Sequence, residues 1–321
     1  ATSLSSIFET RIYSQSLVQL LTPLVAQPGV SIETLVNDGY TFEVLSKASA
    51  AVSANYRYMT ARNLFGYFDN IFSPVPLSSY LTYSNDSTEY VLFTVSQLKQ
   101  AKDSLQITDF KDLGANIQQV FDAFSLPAMI VAGYLVADIV AGVTTVPNTT
   151  TPPTIADFYN ANANVQQMLY VFGLQSMWDS NYYSFNTLVA LKVKNSDVTI
   201  TVAQWWALSS FFNHRIKPTV QQLYEYYGKE VLLRQLHMLE PETAVATLYD
   251  GINLSTEPNT VTRLSVSQLW SVKPETLTVQ QMASRYNLQD LWNGIYEVEP
   301  TTAVSTIRTG LTARPTVAQF W

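Results

Sequence analysis

The most regular feature of the chain is a five-residue pattern of polar and apolar positions, which we call the capped motif. It consists of Ser or Thr (Asn in two cases), then Val or Ile, any residue, Gln or Asp, and a large apolar residue. The first side chain can accept a hydrogen bond from a backbone N–H in the first helical turn, and a Gln three residues later can bond back to the cap. Each motif therefore predicts the start of a short amphipathic helix. The motifs begin at Thr94, Asn116, Thr154, Asn164, Thr201, Thr219, Ser265, Thr278 and Thr316.

The capped motif belongs to longer internal repeats. Residues 219–252 align without a gap with residues 278–311, and both stretches contain Thr-Val-Gln-Gln, Glu-Pro, Thr-Ala-Val and a shared Gly in the same order. Further repeats begin at Asn116 and Asn164, and the first of them ends on Gly142 as the last ends on Gly310. Units of about 45–65 residues are typical of tandem arrays. Helices this short bury too little surface alone, so neighbouring units are expected to stack.

These patterns predict a mainly α fold, with irregular, solenoid-like tandem repeats of short capped helices, a few short β-strands and a helical N-terminal region. The N-terminal region covers residues 1–93, with its boundary near 75–93 and a polar loop at 78–88. The repeat region covers 94–321, and residues 144–153 are a second candidate linker because they are rich in Thr and Pro. The predicted units are 94–153, 154–200, 201–264, 265–315 and a truncated unit, 316–321. The predicted strands are 187–193, 198–202 and 260–266.

The composition favours a protein that meets other proteins. Charged residues make up only 13% of the chain, about half the usual share in soluble domains, while there are 19 tyrosines. Protein interfaces lose charge and gain aromatic residues in the same way. An extracellular protein with an uncharged polar surface is an equally good interpretation. Because the net charge is −7, nucleic acid is not an expected partner.

One stretch, residues 126–143, has about the length and apolar character of a short membrane-spanning helix. Pro127, Gly133, Asp138 and Gly142 interrupt it, and the repeat pattern continues through it. We therefore predict a buried pair of short helices here, with a left-handed Gly133 ending the first of them. A membrane partner is not expected. The first residues do not resemble a signal peptide.

The sequence favours no enzymatic chemistry. The chain has no cysteine, and its two histidines, His214 and His237, lack a second ligand at a spacing that makes a zinc site. No nucleophile elbow and no phosphate-binding loop occurs. Carboxylate pairs are present, but nothing separates them from ordinary solvated acids: Glu225 with Glu230, and Glu240 with Glu242. We predict neither an enzyme nor a bound cofactor or metal.

The candidate interaction residues are aromatic: Trp205, Trp206, Phe320 and Trp321. Tryptophans recur near the same position of the capped motif, either as a ladder of rings for a glycan or protein partner or as packing within the repeats. We favour packing, because Leu, Met, Phe and Tyr fill the equivalent positions. Phe320 and Trp321 lie in a capped motif that has only just begun. We expect this apolar segment to dock on a neighbouring copy or another subunit.

Two resemblances bear on function. Ile32 to Tyr40 and Ala128 to Tyr134 carry Gly-Tyr after an apolar helix, and in this they are similar to the short L-x-x-A-G-Y helical repeats of structural proteins of large viruses and phages. That resemblance implies a virion component. Residues 272–291, with Pro-Glu-Thr-Leu and then Met-Ala-Ser-Arg-Tyr, resemble a LysM motif, which implies glycan binding. The other repeats depart from the LysM pattern, so we attribute that match to helix capping.

The function predicted from the sequence is therefore a non-enzymatic structural or assembly protein. We expect a capsid-associated or tail component of a virion, whose partners are other protein subunits. Two alternatives stay open. One is an extracellular surface-layer or adhesin subunit, and the other is a LysM-like module that binds glycan or peptidoglycan.

Overall fold

The computed structural model describes residues 68, 76–85, 88–91, 93–143, 152–210, 214–272 and 277–319. These residues form sixteen α-helices and one two-stranded sheet, so the prediction of a mainly α fold is confirmed. The helical prediction for the N-terminal region lies almost wholly outside the described residues. The chain divides into two compact units, Ala1–Val171 and Phe172–Trp321.

The first unit begins its described part with a short helix and a hairpin. Helix α1 covers Ser78–Leu81, and strands β1 (Thr82–Asn85) and β2 (Thr88–Val91) pair antiparallel, with Thr82 opposite Val91. The prediction of a polar loop at 78–88 is therefore wrong. The β-branched and tyrosine residues on both sides of the turn favour paired strands over an open loop.

The rest of the first unit consists of short helices. Residues 126–143 form the predicted pair of helices, separated by Gly133, whose φ of 79° is left-handed as expected. Met129, Val136 and Ile139 are their buried residues. In the described part of the chain, no helix is both long and apolar enough to cross a membrane. The helices are α2 (Val95–Ala101), α3 (Ile107–Asp112), α4 (Ile117–Ala123), α5 (Leu126–Val131), α6 (Val136–Gly142), α7 (Ile155–Asn160) and α8 (Val165–Asp179).

Helix α8 runs on into the second unit and is interrupted at Gly173, which has a φ of 77°. A second long helix, α11, is interrupted in the same way at Gly228. The helices that follow α8 are α9 (Phe185–Val189), α10 (Val202–Trp206), α11 (Val220–Leu239), α12 (Ala244–Gly251), α13 (Val266–Trp270), α14 (Val279–Met282), α15 (Leu288–Val298) and α16 (Ala303–Gly310), before a 3-10 turn at Val317–Gln319.

The predicted strands 187–193 and 198–202 are reduced to a single bridge between them, and residues 260–266 contain no strand. Residues 187–189 belong to α9 because Ser184 accepts a hydrogen bond from the Thr187 N–H and starts a helix. Lys192 and Thr199 form one isolated antiparallel bridge. Residues 260–265 form no strand, although the Leu254 N–H donates to the Thr262 carbonyl at 2.7 Å. Local capping has therefore outweighed β propensity here.

The helix starts agree with the sequence. In the eight motifs that begin an α-helix, the side chain at the first position accepts a bond from the backbone N–H three residues later. At Thr316 the backbone N–H donates to Gln319 Oε1 at 2.7 Å, and a 3-10 turn follows. Each such cap stabilises its helix by about 1 kcal/mol. The predicted capping is confirmed.

Candidate interaction surface

Trp205 lies in the core of the second unit and is 1% exposed. The motif places it on the inner face of α10, three residues after the buried Val202. Its ring packs edge-on against Trp178, with centroids 5.4 Å apart, and against Phe185 at 5.1 Å. Phe185 in turn meets Tyr226 at 6.2 Å. This side chain contributes to packing and is not accessible to a partner in this structure.

Trp206, the next residue, is half-buried. Its indole N–H donates to Glu240 Oε1 at 2.8 Å, and Lys217 Nζ donates to its backbone carbonyl at 2.5 Å. Glu240 also accepts the Thr243 hydroxyl at 3.0 Å, so its carboxylate joins α10 to the start of α12. Phe320 and Trp321, the other two candidates, lie outside the described residues.

The densest group of polar side chains surrounds Asp179 at the end of α8. Its carboxylate accepts from Gln175 Nε2 at 2.8 Å and from the Arg215 backbone N–H at 2.9 Å, and lies 2.5 Å from His214 Nδ1. Burial works against its ionisation, but these hydrogen bonds outweigh that cost and lower the pKa of Asp179. The Arg215 guanidinium stacks 3.7 Å from the Trp178 ring. The cluster fastens the 214–216 loop to α8.

Three of the four acidic side chains singled out as possible pairs, Glu225, Glu230 and Glu240, have side-chain partners. Glu225 accepts from Gln221 at 2.8 Å, and Glu230 lies 3.4 Å from Arg234 on the same helix. Within the described ranges, no three His, Cys, Asp or Glu residues are grouped so that they would hold a metal ion. These contacts are the ordinary i, i+4 pairs of a helix surface.

Three stretches of the chain share one close contact, and we call them segment I (116–143), segment II (219–252) and segment III (278–311). In each, the first apolar residue of the capped motif lies against the glycine that ends the segment's last helix. An added Cβ would meet a side chain at 2.6 Å for Gly142 on Ile117, 2.5 Å for Gly251 on Val220 and 2.8 Å for Gly310 on Val279. The shared glycine is thus required by packing.

Segments II and III share further bonds. The backbone N–H groups of Asn253 and Thr312, at equivalent positions, donate to Gln221 at 2.8 Å and to Gln280 at 2.9 Å. Tyr227 donates its hydroxyl to the Ile200 carbonyl, and the equivalent Tyr286 donates to the Leu264 carbonyl at 2.5 Å. Each of these carbonyls immediately precedes a capped motif. The tyrosines therefore tie one capped helix to the start of another.

Burial raises the pKa of Tyr227 to about 12 and also raises the pKa of Tyr286. A phenol whose pKa is raised by folding stabilises the fold below its unfolded pKa of about 10, and that contribution is lost as pH rises through the folded pKa. We expect the double change Tyr227→Phe and Tyr286→Phe to lower the free energy of unfolding at pH 7 by about 0.5–1.5 kcal/mol per lost bond. The deficit should shrink between about pH 10 and pH 12.

Urea unfolding at neutral and alkaline pH measures this effect. Tyr296→Phe is the matched control, because Tyr296 is 50% exposed, and it should leave the free energy of unfolding at neutral pH within about 0.5 kcal/mol of wild type. A deficit that stayed constant across the alkaline range would contradict the assignment.

Equivalent residues of the segments differ in exposure at two positions that concern α15 and α16. Val136 and Val245 are 0% and 1% exposed, whereas Val304 is 42% exposed. Its neighbour Tyr296 is 50% exposed, whereas the equivalent His237 is 5% exposed. The Tyr296 ring lies 5.0 Å from that of Trp292. We call Trp292, Tyr296 and Val304 the α15–α16 face.

In the α15–α16 face, Trp292 is one of the recurring tryptophans, but Tyr296 and Val304 were not among the residues that the sequence singled out. Val304 has the same motif position as Val245, and only the environment of the two valines distinguishes them. Unequal burial of aligned positions is the signal that reveals the face, and it requires coordinates. In comparisons with protein-family models, with curated proteins and with solved structures, no match to this chain was found.

Proposed function

We propose that this protein is a non-enzymatic structural subunit that acts by packing against other protein subunits. The observation that carries the proposal is the α15–α16 face, where Val304 and Tyr296 are exposed although the equivalent Val245 and His237 of segment II are buried. Contiguous exposed apolar surface marks interaction sites. The low charge of the chain supports the same proposal.

The repeats are proposed to stack as a solenoid-like array. Two contacts between consecutive repeats support this arrangement. The Val136 N–H, at the start of α6, donates to Gln167 Oε1 of the following repeat at 3.3 Å. Gln281 Nε2 donates to the Pro241 carbonyl, just before α12, at 3.0 Å. Gln167 and Gln281 are both the fourth residue of a capped motif, so the same motif position bonds to the preceding repeat in both cases.

The particle to which the subunit belongs is proposed to be a virion. The short helices that end in Gly-Tyr, such as the one before Gly133 and Tyr134, support this assignment through their similarity to virus and phage structural repeats. A capsid-associated or tail position would place the chain among protein neighbours, which suits an apolar face with few charges.

The mass of the purified chain over a concentration series, with negative-stain images of the same samples, tests the proposal. We expect a mass that grows with concentration, and rings, tubes or sheets in the images. A monomer at every concentration, together with saturable binding to chitin or peptidoglycan fragments, would replace the proposal with a glycan-binding module.

A further inference from the structure

Capped helices of one kind contact the helices that carry Val136 and Val245. Helix α14, which the Thr278 motif begins, packs on α12, where Val245 lies. The start of α8, which the Asn164 motif begins, reaches the backbone of Val136 through Gln167. In both cases the contact is made by the first turn of a capped helix whose motif reads Val-Gln-Gln after its cap.

Side chains beyond α14 extend the contact on segment II. The Tyr286 ring meets the Tyr249 ring edge-on at 5.0 Å. Arg285 pairs with Asp250 at 2.7 Å, and both side chains are more than a third exposed, so this pair adds little stability. The packing of α14 on α12, together with the aromatic contact at Tyr249, therefore defines how a capped helix binds to such a segment.

Segment III presents the same arrangement with two substitutions. Val304 stands where Val245 stands, and Arg308 replaces Tyr249. An aromatic ring in the place of Tyr286 would meet a guanidinium there, which is a favourable cation–π pairing. Thr309 replaces Asp250, so no acid is present to require a basic partner. The α15–α16 face therefore retains an apolar residue, Val304, and is followed by Arg308, which can pair with an aromatic ring.

We propose that the α15–α16 face binds a capped Val-Gln-Gln helix from a second copy of this chain. The inference rests on the proposed function and makes it specific. The two capped helices that contact the equivalent segments belong to this chain, so every copy carries the element that the face fits. Because the face and the helix are different surfaces of the chain, the contact between two copies is head-to-tail. Successive copies that do not close into a ring would form an open filament.

The test compares two valine-to-aspartate variants of the full chain. Val304→Asp places a charge in the proposed contact, at the second residue of α16, where an acid suits the helix N-terminus and should leave folding intact. Val231→Asp is the matched control, because Val231 is 41% exposed on α11 and segment III already has Asp290 at the equivalent position. Tyr296→Ser is a second change in the face itself.

Sedimentation over a concentration series reads out the result, with circular dichroism to verify folding. We expect wild type and Val231→Asp to associate equally, and Val304→Asp and Tyr296→Ser to raise the dissociation constant at least about tenfold, as expected for the loss of about 1.4 kcal/mol. If all four proteins associated equally, the inference would be overturned while the proposed function remained. A wild-type monomer throughout would overturn the inference, and the particle images would then decide the proposed function separately.

Discussion

Replacing Trp205 by alanine is expected to lower the free energy of unfolding by about 3–5 kcal/mol, the usual cost of truncating a fully buried aromatic side chain. The ring is 1% exposed and contacts both Trp178 and Phe185. Its removal leaves a cavity that a short helix such as α10 cannot close without losing its own packing. The loss is a large part of the stability of a typical domain.

The neighbouring residue is the control for this experiment. Trp206 is half-buried, and its indole N–H bonds to Glu240. Trp206→Ala should cost about 1–2 kcal/mol, because one hydrogen bond to a charged group and part of a ring contact are lost. Urea unfolding followed by circular dichroism compares the two variants. Equal losses would contradict the assignment of Trp205 to the core and Trp206 to its edge.

Helix starts are the part of this fold that sequence predicts well. A Thr followed three residues later by Gln specifies bonds within a single turn, so no distant part of the chain is needed to form them. Thr94 with Gln97 and Thr201 with Gln204 both make the bonds expected. The left-handed Gly133 could be predicted for the same reason, because a helix exit is also local.

Strands and burial depend on the rest of the chain, and the sequence predicts them less well. Residues 187–193 have β-prone side chains, yet Ser184 caps a helix over their first half. Trp205 and Trp206 are adjacent residues of the same type. Their exposure differs because α10 presents only Trp205 to the core. Val245 and Val304 share a motif position, yet Val245 is 1% exposed and Val304 is 42% exposed. Such differences arise from tertiary packing.

The second large effect is expected at the glycine shared by the three segments. Gly251→Ala would place a Cβ 2.5 Å from Val220 Cβ, which lies too close to its own backbone to move aside. Helix propensity favours alanine by up to about 1 kcal/mol. Overpacking a tight contact costs about 1–3 kcal/mol. Because α12 must then shift away from α11, we expect a net loss of stability in spite of the better propensity.

The same substitution can be made at the equivalent glycines of segments I and III, Gly142 and Gly310. Gly142→Ala and Gly310→Ala should also destabilise, and Gly310→Ala should do so least, since its nearest contact is 2.8 Å rather than 2.6 Å. Ser305→Ala, at an exposed position of α16, is the control and should change the free energy of unfolding by less than about 0.5 kcal/mol. If alanine stabilised all three sites, propensity alone would explain the result and the close contact would be excluded. A graded loss would instead mean that the glycine belongs to the motif because the first helix of each segment must approach the last one closely.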